Sequence, residues 1–335
     1  MVKLSHINET NIRNNERDLE GKTTEQRSDY TEEGCMNKIC SILHHIKQGQ
    51  EDLIGAVDPI CNVISLIFDG NPHLIPEQLE EGKIIDLLIS YIQAQPIEED
   101  ISNLFEPLLM IATESPDEQR HEMFRKGIIS ASIKHSEIIN TSVVLKAVII
   151  IAQMIQTGCS DVQNGQHNQY KNQLQIDGIL EKLINIYNNE KIENKEIISN
   201  VALAISFLFK AAPLPAEYNT NIIQLLKDCS QSTDEELYIS ALQALACLAE
   251  CETNHNLILS GEYSKVIASH LKDQTKQKIC MHSIYLVIVL FQKGSSENKN
   301  MLKGNISVAF GLKLSLSRNK YITKAGKDLH SLLQA

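Results

Sequence analysis

From Gly34 almost to the end of the chain, apolar residues recur at three- and four-residue steps, the spacing that gives a helix one buried stripe. The runs Leu237–Ala249 and Ile279–Phe291 are apolar nearly all round, as expected of helices packed between neighbours. The pattern comes in blocks. Short polar-apolar helices end at Gly82, Gly127, Gly178, Gly261 and Gly304, and the intervals 82 to 127, 127 to 178 and 261 to 304 are 45, 51 and 43 residues. The 83 residues between Gly178 and Gly261 hold two blocks, the second lacking its glycine near Asn219. Each block therefore reads as short helix, Gly, middle helix, polar loop, long helix. A sharp turn after the short helix calls for left-handed backbone, which glycine adopts at little cost. Helix starts are expected at Ser115-Pro-Asp-Glu118, with Ser115 as N-cap and Pro116 in the first position, and at the capping box Ser232-Thr-Asp-Glu235.

A three-helix block of about 40–47 residues with Gly after its first helix resembles the armadillo repeat. The segment Ala241-Leu-Gln-Ala-Leu-Ala-Cys-Leu-Ala249 is similar to that family's third-helix run Ala-Leu-Trp-Ala-Leu-Ser-Asn-Leu-Ala. The resemblance covers residues 34–335 and implies an all-α fold, a right-handed α-solenoid (superhelix) of six to seven armadillo-like repeats. The related HEAT repeat has two helices per unit and lacks this glycine, so it fits less well.

In such an array the third helices line a concave groove. The positions aligned with the family's Trp and Asn are Asp58 and Asn62, Glu106 and Met110, Lys146 and Ile150, Leu203 and Phe207, Gln243 and Cys247, Tyr285 and Val289. The resemblance thus makes Asp58, Asn62, Glu106, Lys146, Gln243 and Tyr285 the expected partner-binding contacts, with the acidic ones facing Lys or Arg of a partner segment. In the family's nuclear-import adaptors, Trp packs on the partner's aliphatic stems and Asn bonds its backbone. Here there is no Trp, and only Asn62 keeps the Asn.

Residues 1–33 carry eight acidic and five basic side chains and few apolar ones, so a disordered N-terminal tail is expected ahead of an armadillo-like domain at 34–335. Pro59 and Pro107 fall inside the third helices of the first two blocks, where proline bends or restarts a helix. Between Thr157 and Gln175 the third block swells with Gln, Asn, Gly and Ser, read as a mobile surface loop. Only 15 Gly and 8 Pro among 335 residues, and 5% aromatics, agree with a helical chain.

Charge narrows the function. The net charge of −11 disfavours a phosphate-binding surface over the whole molecule. Its distribution is uneven: Ile84 to Gln119 holds eight acidic residues and no Lys or Arg, whereas Lys303 to His330 holds six basic residues against Asp328 alone. The basic end reads as a polar cap, with nucleic acid the weaker reading. No apolar run reaches the roughly 18–20 residues of a membrane span, and there is no signal-like leader, so a cytoplasmic or nuclear protein is expected. The eight cysteines read as core residues of a reducing compartment.

Candidate chemistry is sparse. The chain has no Walker loop, Gly-x-Gly-x-x-Gly or Gly-x-Ser-x-Gly, and His121-Glu122 meets Arg125 where a zinc protease needs its second His. Cys35, Cys40, His44 and His45, and the steps of four at Cys247, Cys251 and His255, fall short of a four-ligand zinc spacing. No cofactor, metal or enzymatic activity is expected. The reading is a scaffold binding a protein or peptide partner, with an import-type cargo adaptor or an Hsp70 nucleotide-exchange regulator as alternatives. The missing Trp/Asn ladder and the absence of Arg/Lys clusters in residues 1–33 count against the import adaptor.

Overall fold

The computed structural model describes residues 9–32, 34–48, 55–80, 82–96, 101–136, 140–273 and 275–334, and every regular element among them is helical. The chain forms two compact units, residues 1–157 with 188–197, and residues 158–187 with 198–335.

The first unit contains α1 (Glu9–Glu20), α2 (Thr24–Glu32), α3 (Cys35–Lys47), α4 (Val57–Phe68), a 3-10 turn Pro72–Leu74 leading into α5 (Ile75–Gln78), α6 (Ile84–Ala94), α7 (Ser102–Glu114), α8 (Asp117–Arg125), α9 (Ile128–Lys134) and α10 (Thr141–Thr157). Three blocks of three helices result: α2 to α4, α5 to α7 and α8 to α10. The third helices α4, α7 and α10 pack side by side, and so do the second helices α3, α6 and α9. The stripes they bury include Ile60, Ile64 and Phe68 on α4, Phe105 and Leu108 on α7, and Val148 and Ile151 on α10, all inaccessible to solvent. Each such side chain contributes on the order of 2 kcal/mol.

Gly82 and Gly127 stand between first and second helices with φ of 74° and 85°, and Gly34 does the same at 75°. That places α2 as the first helix of the first block, although it lies in the segment expected to be disordered. The correction extends to α1, which packs on α4 much as α4 packs on α7. The few apolar residues of α1 are positioned, not scattered: Ile12 and Leu19, two turns apart, are 7% and 0% exposed. Arg27 ties the segment down further, pairing with Asp69 at 3.0 Å and donating to the Leu19 carbonyl at 3.2 Å. Residues 1–8 and 33 of the expected tail lie outside the described residues.

The second unit contains α11 (Lys171–Ile176), α12 (Ile179–Tyr187), α13 (Lys195–Leu208, from residue 198), α14 (Asn219–Cys229), α15 (Glu235–Ala249), a 3-10 turn Glu252–Asn254 leading into α16 (His255–Leu259), α17 (Tyr263–Lys272), α18 (Gln277–Lys293), α19 (Ser296–Asn305), α20 (Val308–Ser315) and α21 (Lys320–Gln334). The third helices α15, α18 and α21 pack in sequence. Gly178 and Gly261 take positive φ at their expected places, whereas Gly304 lies within α19. There Ser307 makes the break instead, its hydroxyl accepting from Phe310 N at 3.2 Å to cap α20.

Local details differ as well. Pro59 sits in the first turn of α4, where its missing N–H costs little, while Pro107 is inside α7. Ser115 caps nothing: α8 starts at Asp117, and the buried Ser115 hydroxyl has no partner among the described residues. In the Ser232 to Glu235 segment the cap is Asp234, which accepts from Glu236 N at 3.0 Å and Leu237 N at 3.2 Å.

Candidate partner-binding face

In the first unit, residues aligned by register across consecutive third helices become neighbours. Glu106 on α7 and Lys146 on α10 form an ion pair at 2.6 Å, and Lys146 also donates to the Ser102 carbonyl at 3.2 Å. Farther along the same two helices, Gln153 donates to the Thr113 hydroxyl at 3.1 Å. One helix earlier, Asn62 on α4 donates to Glu16 of α1 at 2.8 Å. Polar rungs thus link the third helices while their apolar stripes face inward.

This changes what the expected contacts are free to do. Glu106, expected to face a partner's cation, has Lys146 of its own chain as that cation, and Asn62 is engaged by Glu16 of α1. Asp58 is exposed and has no hydrogen bond or ion pair among the described residues. Burial first, and the Asp58 charge second, push the nearby Cys61 thiol up to about 12, so Cys61 is an inert core residue. The acidic stretch is likewise compensated from downstream, Asp86 by Lys126 at 3.5 Å, forty residues on, and Asp117 by Arg120 at 3.6 Å. Glu98, Glu99 and Asp100 lie outside the described residues.

In the second unit the segment 158–170, expected to be mobile, is fastened by buried polar contacts. Lys210, just beyond α13, pairs with Glu250, just beyond α15, at 2.5 Å, the two side chains being 4% and 1% exposed. Their remaining bonding capacity goes to the segment: Lys210 Nζ donates to the Gln166 carbonyl at 3.2 Å, and Glu250 accepts from Gly165 N at 2.6 Å. Asn168 donates to the Phe207 carbonyl at 3.2 Å, and the Tyr285 hydroxyl donates to Asn164 at 3.0 Å. A hydrogen bond with Cys159, then burial, holds the Cys247 thiol well above its ordinary range. One segment therefore touches Phe207, Cys247 and Tyr285, the aligned positions on α13, α15 and α18. Gln243, a turn before Cys247, is half-buried. Gln and Asn are abundant here because their amides satisfy backbone groups that the segment encloses.

Sequence reasoning did not find Lys210 and Glu250. The available signal was a charge directly abutting an apolar run in each of two blocks, at Phe207-Leu-Phe-Lys210 and at Leu248-Ala-Glu250. Cys247, Cys251 and His255 do not share a stripe, because α15 ends at Ala249; His255 bonds the Ala249 carbonyl at 2.6 Å and so closes the turn.

No protein-family model and no curated protein matches the chain. Solved structures do. A designed armadillo repeat protein superposes with a TM-score of 0.53 at 18% identity, over 75% of this chain and 100% of its own. An engineered protein gives a TM-score of 0.61 at 14% identity, over 89% of this chain and 68% of its own. A second engineered protein gives 0.52 at 12% identity, over 75% and 98%. The fold is accordingly of the armadillo type, an all-α solenoid class.

Proposed function

We propose that the chain is a non-catalytic protein-binding scaffold whose partner segment lies on the third-helix face of the first unit, contacting Asp58, Asn62, Glu106 and Lys146. The observation that carries this reading is the Glu106–Lys146 contact, which sets equivalent positions of neighbouring third helices side by side on an accessible face. A basic segment of the partner meets Asp58 directly and takes the place of Lys146 on Glu106. Such exchange is inexpensive because a partly solvated ion pair is worth less than about 1 kcal/mol. Gln243 and Tyr285 belong to the same register in the second unit, where segment 158–170 lies next to Tyr285, so contact there requires that segment to move. Eight free cysteines support a reducing compartment, the cytoplasm or the nucleus.

The test is affinity purification with crosslinking, comparing the chain with its Asp58→Lys, Glu106→Lys double variant. Loss of partners bearing Lys- or Arg-rich segments, together with loss of salt sensitivity, is the expected result. Unchanged partners with unchanged salt dependence would exclude the first-unit face.

A further inference from the structure

We infer that the last helical block carries a separate docking surface for an acidic amphipathic helix of a protein partner, with Leu312, Leu316, Ile322 and Tyr321 as its apolar floor and Lys313, Arg318 and Lys278 as its basic rim. Val308 and Leu312 on α20 and Leu316 directly after it stand at four-residue steps, and Leu316 and Tyr321 are 75% and 61% exposed. Beneath them lie two adjoining hollows. One, of about 640 Å³, is lined by Ala309, Leu312, Leu316 and Ile322 together with Lys313 and Arg318. The other, of about 420 Å³, is lined by Met281, Tyr321, Ile322 and Lys278. Both include Gln277 and Asn319, which bond each other at 2.7 Å and form the polar bridge between them.

The surface differs from a protective cap. A polar outer face is what shields an array from water, whereas this surface leaves the apolar row Val308, Leu312 and Leu316 uncovered. The row cannot sink inward, because α20 already lies against α21 at the closest approach glycine permits: a Cβ on Gly326 would stand 2.6 Å from the Leu314 carbonyl carbon. Apolar anchors at helical spacing are what an amphipathic helix offers to a hollow of this kind.

Charge selects the partner. No carboxylate lines either hollow, and among the described residues none of Lys278, Lys313 and Arg318 pairs with an acid. In a chain of net charge −11 a positive rim is a local contrast, which steers an acidic segment toward it and repels a basic one. Nucleic acid fits less well. Tyr321 is the one aromatic lining residue, Lys320 already lies 4.9 Å over its ring, and Leu312, Leu316 and Ile322 offer phosphates nothing.

The test uses the full chain and a fluorescent synthetic peptide of about four helical turns, with Leu at i, i+3, i+4 and i+7 spacing and Glu elsewhere. Controls are a scrambled peptide of the same composition and a single-stranded oligonucleotide. Saturable binding of the patterned peptide is expected, weakened about tenfold or more by Leu316→Asp and by Lys313→Glu with Arg318→Glu. Because all three side chains lie at the surface, the variants keep the thermal midpoint of the parent, which is measured alongside. Equal binding of the scrambled peptide, preference for the oligonucleotide, or self-association that Leu316→Asp abolishes would each overturn the proposal, the last by showing a second copy as the occupant. The Asp58→Lys, Glu106→Lys variant retains peptide binding, so this result is independent of the first-unit face.

Discussion

Glu250 Oε2 accepts a hydrogen bond from Lys210 Nζ at 2.5 Å in a site that hides both side chains from water. The pair joins the ends of two third helices, and segment 158–170 is built around it. Removing one member leaves the other charge buried and uncompensated, which costs about 3–5 kcal/mol, whereas an apolar replacement of both is tolerated. Lys210→Met is therefore expected to lower the urea midpoint strongly and to raise hydrogen exchange across residues 158–170. Adding Glu250→Leu should restore much of the stability. Equal stability of the parent and Lys210→Met would contradict the burial of the pair.

Acid should weaken the second unit through its histidines. His270 packs edge-on to Tyr238 at 5.0 Å, and burial, reinforced by Lys276, holds its pKa down at about 4. The unfolded imidazole titrates near about 6.5, so as pH falls the unfolded state takes up the proton first. The contribution is complete above pH 6.5, drains away between 6.5 and about 4, and levels off below; its ceiling is on the order of 3 kcal/mol. Burial lowers His255 in the same direction. Urea unfolding at several pH values should show this slope, and His270→Phe should flatten it. A parental slope in the variant would rule out His270 as a source.

The α20–α21 contact should be intolerant of a single methyl group. A Cβ at Gly326 would meet the Leu314 carbonyl carbon at 2.6 Å and Ser315 N at 2.7 Å, both backbone atoms that cannot swing aside. Gly326→Ala is expected to cost about 2 kcal/mol or more despite its higher helix propensity. A thermal midpoint equal to the parent's would show that the helices separate easily.

Glu106 and Lys146 should behave in the opposite way. Glu106 is 49% exposed, so solvent screens the pair. Glu106→Gln is expected to change stability by less than about 1 kcal/mol while altering recovery of basic partners. A large loss of stability would mean that this contact is structural and would weaken the proposed role.

The repeat was legible because its carriers are local. Apolar steps of three and four specify a buried stripe, and Gly82, Gly127, Gly178 and Gly261 mark turns that need positive φ, as the structure bears out. Gly304 misled because glycine is also tolerated in a helix, and Ser307 supplied the break. The tail misled because its composition is polar while the two apolar residues of α1, Ile12 and Leu19, share one side of the helix.

By itself the chain determined the helices beyond Gly34 and the length of the block, both consequences of contacts within a few residues. Tertiary structure alone decided which charges remain available. Packing one block on the next brings together residues about forty apart, so Lys126 reaches Asp86, Lys146 reaches Glu106 and Lys210 reaches Glu250. Whether an acid faces a partner or its own chain depends on side-chain reach across that stack, a geometric relation that neither a local pattern nor a net charge encodes.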